Sequence, residues 1–265
     1  MDKTRSDHGP WRPAQGVPSV RRAAWSDLIA ALSAGWTDFR RAPLIGILVG
    51  GLYGLGGLTL LGLLELREYR GLTFPLIAGF ALIGPFCGTI LYEMSRRMEH
   101  GGRLDWRDVP SMIAATARKQ ILYHGFILMF WLAVWSRVGL VIYYTHFGLT
   151  PVPVWEVMGE LLTTPRGWSF LIVGHLFGAV FAGVAYSLSV LAFPFLLDRD
   201  ADFITAMVMS FQAVLSSPVV MLAWGGAIGV MLAIAALPLF AGLTIVLPVL
   251  GHASWHLYRR LVIDD

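Results

Sequence analysis

The chain has 265 residues, of which 56% are hydrophobic and only 14% charged, and it carries a net charge of +3. That balance excludes an ordinary soluble domain, which could not keep so much apolar surface in water. The basic excess suits contact with membrane lipids; no nucleic-acid motif accompanies it, so no nucleic-acid partner is expected.

Residues 1–23 are charged and Pro-rich, with no apolar stretch of a cleavable signal, and read as a disordered basic tail. Next, Trp25, Leu28, Ile29, Leu32, Trp36 and Phe39 recur at three- and four-residue intervals, while Ser26, Asp27, Thr37, Asp38, Arg40 and Arg41 fall mostly elsewhere. This predicts an amphipathic helix lying in the interface, anchored by Trp25 and Trp36. Apolar runs of about 20 residues then predict membrane-crossing helices at 44–64, 74–94, 121–144, 169–197, 214–235 and 239–258. Backbone groups in lipid must be satisfied internally, and no alternating pattern of an outer-membrane barrel is present, so the fold class is an all-α helical bundle. Short interfacial helices also precede span three, around Trp106, Val109 and Ile113, and span five, around Phe203, Met207, Phe211 and Val214. Asp27, Asp105 or Asp108, and Asp202 suit the N-caps of these helices.

The plan of interfacial helix, outward span and returning span thus occurs three times, at about 24–95, 105–198 and 201–260, within one membrane domain at 24–260 and before a short tail at 261–265. Asp27, Ile29, Ala31, Pro43, Gly50 and Gly51 recur 175 positions later as Asp202, Ile204, Ala206, Pro218, Gly225 and Gly226. Pro85, Gly88, Arg96 and Arg97 recur 163 positions later as Pro248, Gly251, Arg259 and Arg260. Units that all start on one side are parallel repeats about an axis along the membrane normal. The returning spans carry Pro85, Pro194 and Pro248, each expected to kink its helix, either shaping packing or opening a shallow vestibule. Gly46, Gly50 and Gly54, echoed by Gly225 and Gly229, supply faces for close helix packing.

Sixteen basic residues fall on the side of the termini and three on the other, which places both termini in the cytoplasm of an inner membrane. The single cysteine, Cys87, lies inside span two, with no partner for a disulfide or a thiolate metal site.

Chemistry concentrates in the last span. His252 and His256, four apart, share one helical face; they suit a haem or metal, and equally hydrogen bonds to neighbouring helices. Trp255, Tyr258, Arg259 and Arg260 read as interface anchors. His124, Arg137, His175 and Glu93 are further ionisable groups in the spans. Arg137 is expected to snorkel or to pair with Glu65, Glu68, Glu156 or Glu160, and Glu93 to pair with Arg96 and Arg97. Pro151 to Leu161 reads as a short surface helix. Asp198, Arg199, Asp200 and Asp202 cluster after span four, where a helix cap competes with a magnesium site. No CxxCH, GxSxG, HExxH or P-loop occurs, so no catalytic residue and no cofactor is assigned.

Three motifs resemble a bacterial family of uncharacterised integral membrane proteins. They are Gly35-Trp36-Thr37-Asp38-Phe39 with Ala42-Pro43, Phe193-Pro194-Phe195-Leu196-Leu197-Asp198-Arg199, and Leu247-Pro248 through Gly251-His252-Ala253-Ser254-Trp255-His256-Leu257-Tyr258-Arg259. Some members bear the label of cytochrome c oxidase subunits. The resemblance implies no site residues; with half the spans of an oxygen-reducing subunit, the chain is expected to be an accessory or assembly subunit beside other membrane subunits. A solute or lipid transporter, and a haem- or metal-binding redox protein, are the alternatives.

Overall fold

The computed structural model describes residues 18–65, 73–102, 104–116, 119–148 and 159–263. Regular structure among them is helical, apart from one isolated antiparallel bridge between Val20 and Val262. The helices are α1 (Trp25–Arg41), α2 (Pro43–Glu65), α3 (Thr73–Glu99), a 3-10 turn (Trp106–Asp108), α4 (Val109–Thr116), α5 (Lys119–Phe147), α6 (Pro165–Ser189), α7 (Ala192–Asp198), α8 (Phe203–Ser216), α9 (Pro218–Ala236) and α10 (Leu243–Leu261). Among the described residues, four stretches are long and apolar enough to cross a membrane: Pro43–Leu63, Lys119–Phe147, Pro165–Asp198 and Pro218–Ala236. α10 has 19 residues, close to the length a span needs, but its second half carries His252, Ser254, His256, Arg259 and Arg260 and lowers its apolarity. α3 is longer, at 27 residues; the side chain of Pro85, midway along it, lies outside the described set.

α10 is the hub of the bundle, touching α1, α2, α3, α7 and α9. Ala253, Trp255, Leu257 and Leu261 are fully buried there. This corrects the anchoring role expected of Trp255 and Tyr258: both face inward, because α10 is surrounded on most sides by other helices rather than by lipid. Trp25, Trp36, Arg259 and Arg260 do remain exposed. α1 crosses α10 where both are slim. A Cβ at Gly35 would lie 2.6 Å from the Ala253 nitrogen and 2.7 Å from the Val249 oxygen. The same contact turns part of the expected polar side of α1 inward, since Asp27 and Asp38 are buried while Ile29 and Trp36 point out. Their hydrogen-bond partners, given below, make that burial tolerable.

Other expectations are refined by local chemistry. α1 starts at Trp25, so Asp27 is its third residue rather than its cap; its carboxylate reaches back to accept from the Ala24 N–H at 2.9 Å. Asp202 is the cap of α8, accepting from the Thr205 N–H at 2.9 Å. The fourth span is not one helix: α6 ends at Ser189 and α7 begins at Ala192, with the Ser210 hydroxyl accepting from the Leu191 N–H at 3.1 Å in the gap. Pro194 therefore sits in the first turn of α7, where its missing N–H costs little, whereas Pro85 and Pro248 lie inside the single helices α3 and α10. The last helix begins at Leu243, because Leu239 and Phe240 adopt φ of 51° and 63° and extend the turn. The Phe240 ring packs edge-on to Phe80 at 6.2 Å and holds that turn against α2 and α3. Most of the surface helix expected near Pro151 falls outside the described residues.

The tail expected at 1–23 is ordered over its described part. Residues 18–23 run beside 261–263, with the Arg21 N–H donating to the Leu261 oxygen and the Ile263 N–H to the Ser19 oxygen. Arg21 clasps Asp27 through bonds of 2.6 and 2.9 Å. Those bonds hold the Asp27 carboxyl below the usual carboxylate range against the opposing effect of burial.

Two outcomes follow from this packing. At Gly50 a Cβ would collide with the Leu243 oxygen, whereas at Gly226 it meets nothing within 4 Å. Gly50→Ala should cost about 1–3 kcal/mol through forced separation of α2 and α10, and Gly226→Ala should be neutral or gain up to about 1 kcal/mol of helix propensity. Thermal unfolding in detergent reads both. The depressed Asp27 pKa means that its stabilisation is present above the unfolded value of about 4 and fades as pH falls through the folded value. The difference in melting temperature between wild type and Arg21→Gln should therefore shrink on acidification below about pH 4.

Candidate functional site

At the end of the bundle where α1, α3, α7 and α10 all finish, the chain buries a set of polar groups. Asp38, Ser95, His252 and Ser254 are nearly or fully enclosed. The helix ends explain the concentration: C-terminal carbonyls carry partial negative charge, which attracts the arginines at 41, 96, 97, 259 and 260. Asp38 stands against that rule, in the last turn of α1. The mismatch is worth about 0.3–1 kcal/mol, and the charge-assisted hydrogen bonds that Asp38 accepts, at about 1.5–3 kcal/mol each, outweigh it.

Those bonds form a continuous chain. Ser95 Oγ donates to Asp38 Oδ2 at 2.9 Å, and His256 Nε2 donates to the same oxygen at 2.7 Å. The Ser95 hydroxyl has one proton and spends it on Asp38, so it accepts from His252 Nδ1 at 2.8 Å. The arrangement fixes both tautomers: His252 carries its hydrogen on Nδ1, and His256 carries one on Nε2. On its other side His256 Nδ1 lies 3.9 Å from Glu99 Oε1. Glu99 meets Arg259 at 3.4 Å, and Arg259 meets Asp198 at 3.3 Å. Tyr258 donates to Asp198 at 2.8 Å, so Asp198 is a tertiary acceptor rather than a helix cap. Burial pushes the Asp38 carboxyl up, but the bonds from His256 and Ser95 prevail and hold it below the usual range.

Chemically, the chain His252–Ser95–Asp38–His256 links two imidazoles through a hydroxyl and a carboxylate, a path able to relay a proton and a lock joining α1, α3 and α10. It does not present the two histidines to one metal. His256 Nε2 is taken by Asp38, and no group of three or more His, Cys, Asp or Glu among the described residues could hold an ion. His252 Nε2 is fully buried without a hydrogen-bond partner, although the ring lies close to the Leu91 backbone.

The remaining sequence candidates do not join this cluster. His124 is enclosed, with its ring edge-on to Phe193 at 4.6 Å and neither nitrogen hydrogen-bonded. His175 is exposed on α6 and bonds its own helix through Leu171 O at 2.7 Å. Arg137 is exposed on α5, and Glu160, one of its expected partners, pairs with Arg166. Glu93 does pair with Arg96 and Arg97, at 2.8 Å each. Cys87 is a free thiol, half-buried in α3. Sequence reasoning left Asp38, Ser95 and Glu99 without a role. The signal for Asp38 was there: an acidic residue in a helix's last turn, beside two arginines, implies a tertiary partner.

Asp38→Ala should leave Ser95 and His256 without their acceptor and lower stability by about 2–3 kcal/mol, a fall of about 5–10 °C in detergent melting. His256→Ala in the Asp38→Ala background should then cost less than it does alone, because the two groups share one interaction.

Residues 73–198, from the start of α3 to the end of α7, match the family model described as predicted integral membrane protein (DUF2189). No curated protein and no solved structure matches the chain. The match takes in Phe193 to Asp198 of the middle sequence motif; with the four apolar helices among the described residues, it makes this an integral membrane protein of unknown function whose central segment is similar to that uncharacterised family.

Proposed function

We propose that the chain is a six-span inner-membrane protein with both termini in the cytoplasm, serving as a non-catalytic accessory or assembly subunit of a membrane complex, respiratory oxidase first among them. The count of six adds α3 and α10 to the four apolar spans. Three parallel repeats are supported by the way neighbours pair. Each short helix packs on the returning helix of the preceding unit: α1 on α10, α4 on α3, and α8 on α6. Gly50, Gly125 and Gly225 of the outward helices abut the same neighbours, at Leu243, Phe86 and Tyr186. That cyclic pattern is what a pseudo-threefold axis along the membrane normal produces.

The observation that carries the accessory reading is a filled centre inside an apolar exterior. Leu191, Phe193, Phe195, Leu196, Leu250 and Trp255 pack into one core. The ionisable groups a transport path would need are dispersed: His124 is buried against Phe193, and Arg137 and His175 face outward. Meanwhile α5 exposes Leu122, Phe126, Met129 and Phe130, and α6 exposes Ile172, Leu176 and Val180. A chain whose chemistry is spent on its own packing acts through its surface. The oxidase assignment is motivated by the labels in the family that the motifs resemble.

Gentle-detergent purification with an affinity tag, recording co-purifying proteins and the visible spectrum, tests this. Oxidase subunits in a colourless preparation are the expected result. A protein that comes alone sinks the accessory reading, and a Soret band on the isolated chain replaces it with a haem protein using His252 Nε2.

A further inference from the structure

A cavity of about 440 Å³ opens between the end of α3 and the connection to α4, within the roughly 300–1,000 Å³ typical of small-molecule sites. Glu93, Arg96 and Arg97 line it from α3, and His100, Leu104 and Asp108 from the connection. Glu93 is only 1% exposed. Its carboxylate accepts from Arg96 Nε at 2.8 Å and Nη2 at 3.1 Å, and from Arg97 Nε at 2.8 Å. One buried carboxylate therefore holds two guanidiniums in place. The trio keeps one net positive charge; Asp198 is near enough to act on Arg96, which leaves Arg97 as the freer cation. Arg96 retains Nη1, and Arg97 both terminal nitrogens, with no hydrogen bond among the described residues. Such pre-positioned forks suit phosphate oxygens, which guanidinium binds with directional, charge-assisted bonds. His100 bonds the Arg96 carbonyl through Nδ1 at 2.7 Å, leaving Nε2 available. From the other wall, Asp108 accepts the Asp105 N–H at 2.9 Å through Oδ2 and keeps Oδ1.

The cavity is thus two-ended, with cationic donors on the helix wall and a carboxylate on the connection wall. A purely anionic ligand would satisfy the first and be repelled by the second. We propose that it binds a phosphoethanolamine group, with the phosphate ester on Arg97 and Arg96 and the ammonium on Asp108. In the proposed six-span topology, on which this assignment of source rests, the arginine-bearing end of α3 falls at the level of lipid phosphates, so the source the cavity fits is a phosphatidylethanolamine headgroup; soluble phosphoethanolamine shares the chemistry. The site is separate from the His252–Asp38–His256 chain and independent of any partner subunit.

The test is native mass spectrometry of the full chain in mild detergent with equimolar phosphatidylethanolamine and phosphatidylglycerol. Wild type should retain the ethanolamine lipid preferentially, and Arg97→Gln and Asp108→Asn should each lower that retention about tenfold. Arg40→Gln, at an exposed arginine outside the cavity, should leave it unchanged. Asn at 108 can still accept from Asp105, so that variant remains informative even where Arg97→Gln fails to fold. Equal retention of the two lipids by wild type, retention unaltered by Arg97→Gln and Asp108→Asn, or an equal loss in Arg40→Gln overturns the site. Displacement of bound lipid by soluble phosphoethanolamine assigns the free compound as ligand, and persistence of the lipid assigns the headgroup.

Discussion

The fold depends on one contact, the crossing of α1 over α10 around the carboxylate of Asp38. Two requirements meet there. The backbones must approach within reach of each other, which Gly35 and Ala253 permit by having almost no side chain. The buried carboxylate must then be fully engaged, which Ser95 and His256 achieve from two different helices. A buried charge with partners costs little, whereas the same charge without them costs several kcal/mol by about the margin that separates folded from unfolded domains. The contact is therefore selective as well as stabilising: α1, α3 and α10 fit in one register and not in the neighbouring ones.

The polar chain also reconciles α10 with its surroundings. Its first half is as apolar as any span, and its second half carries two histidines, a serine and two arginines. On a helix facing lipid, that half would be expelled toward water. Surrounded by five other helices, it finds hydrogen-bond partners in place of water, and the arginines reach the surface beyond the last buried turn. Position inside the bundle, rather than composition, makes α10 tenable.

The sequence disclosed the architecture more readily than the site. Long apolar runs and the residues just before them marked α1, α2, α5, α8 and α9 well, because membrane helices answer to a single dominant force. The break between α6 and α7 was hidden, since it depends on the Ser210 hydroxyl, a tertiary partner that no periodicity reports. The inward turn of Trp255 and Tyr258 was hidden for a related reason: aromatic residues beside arginines have the composition of an interface belt whether they face lipid or protein. The spacing of His252 and His256 correctly put them on one face. What they face, a carboxylate supplied from 218 residues away along the chain in the case of His256, could not be read locally.

The hub helix is also the last of the described helices along the chain. Synthesis proceeds from the N-terminus, and domains acquire structure in that order, yet Asp38 meets its imidazole partner only once α10 has left the ribosome. Until then α1 can rest on the membrane surface with its carboxylates in water, as an amphipathic helix does. Arrival of α10 withdraws Asp38 from water, and the strand-like pairing of Val20 with Val262 joins the oldest described residues to nearly the newest. A chain interrupted before Leu243 would thus leave a helical assembly without its centre.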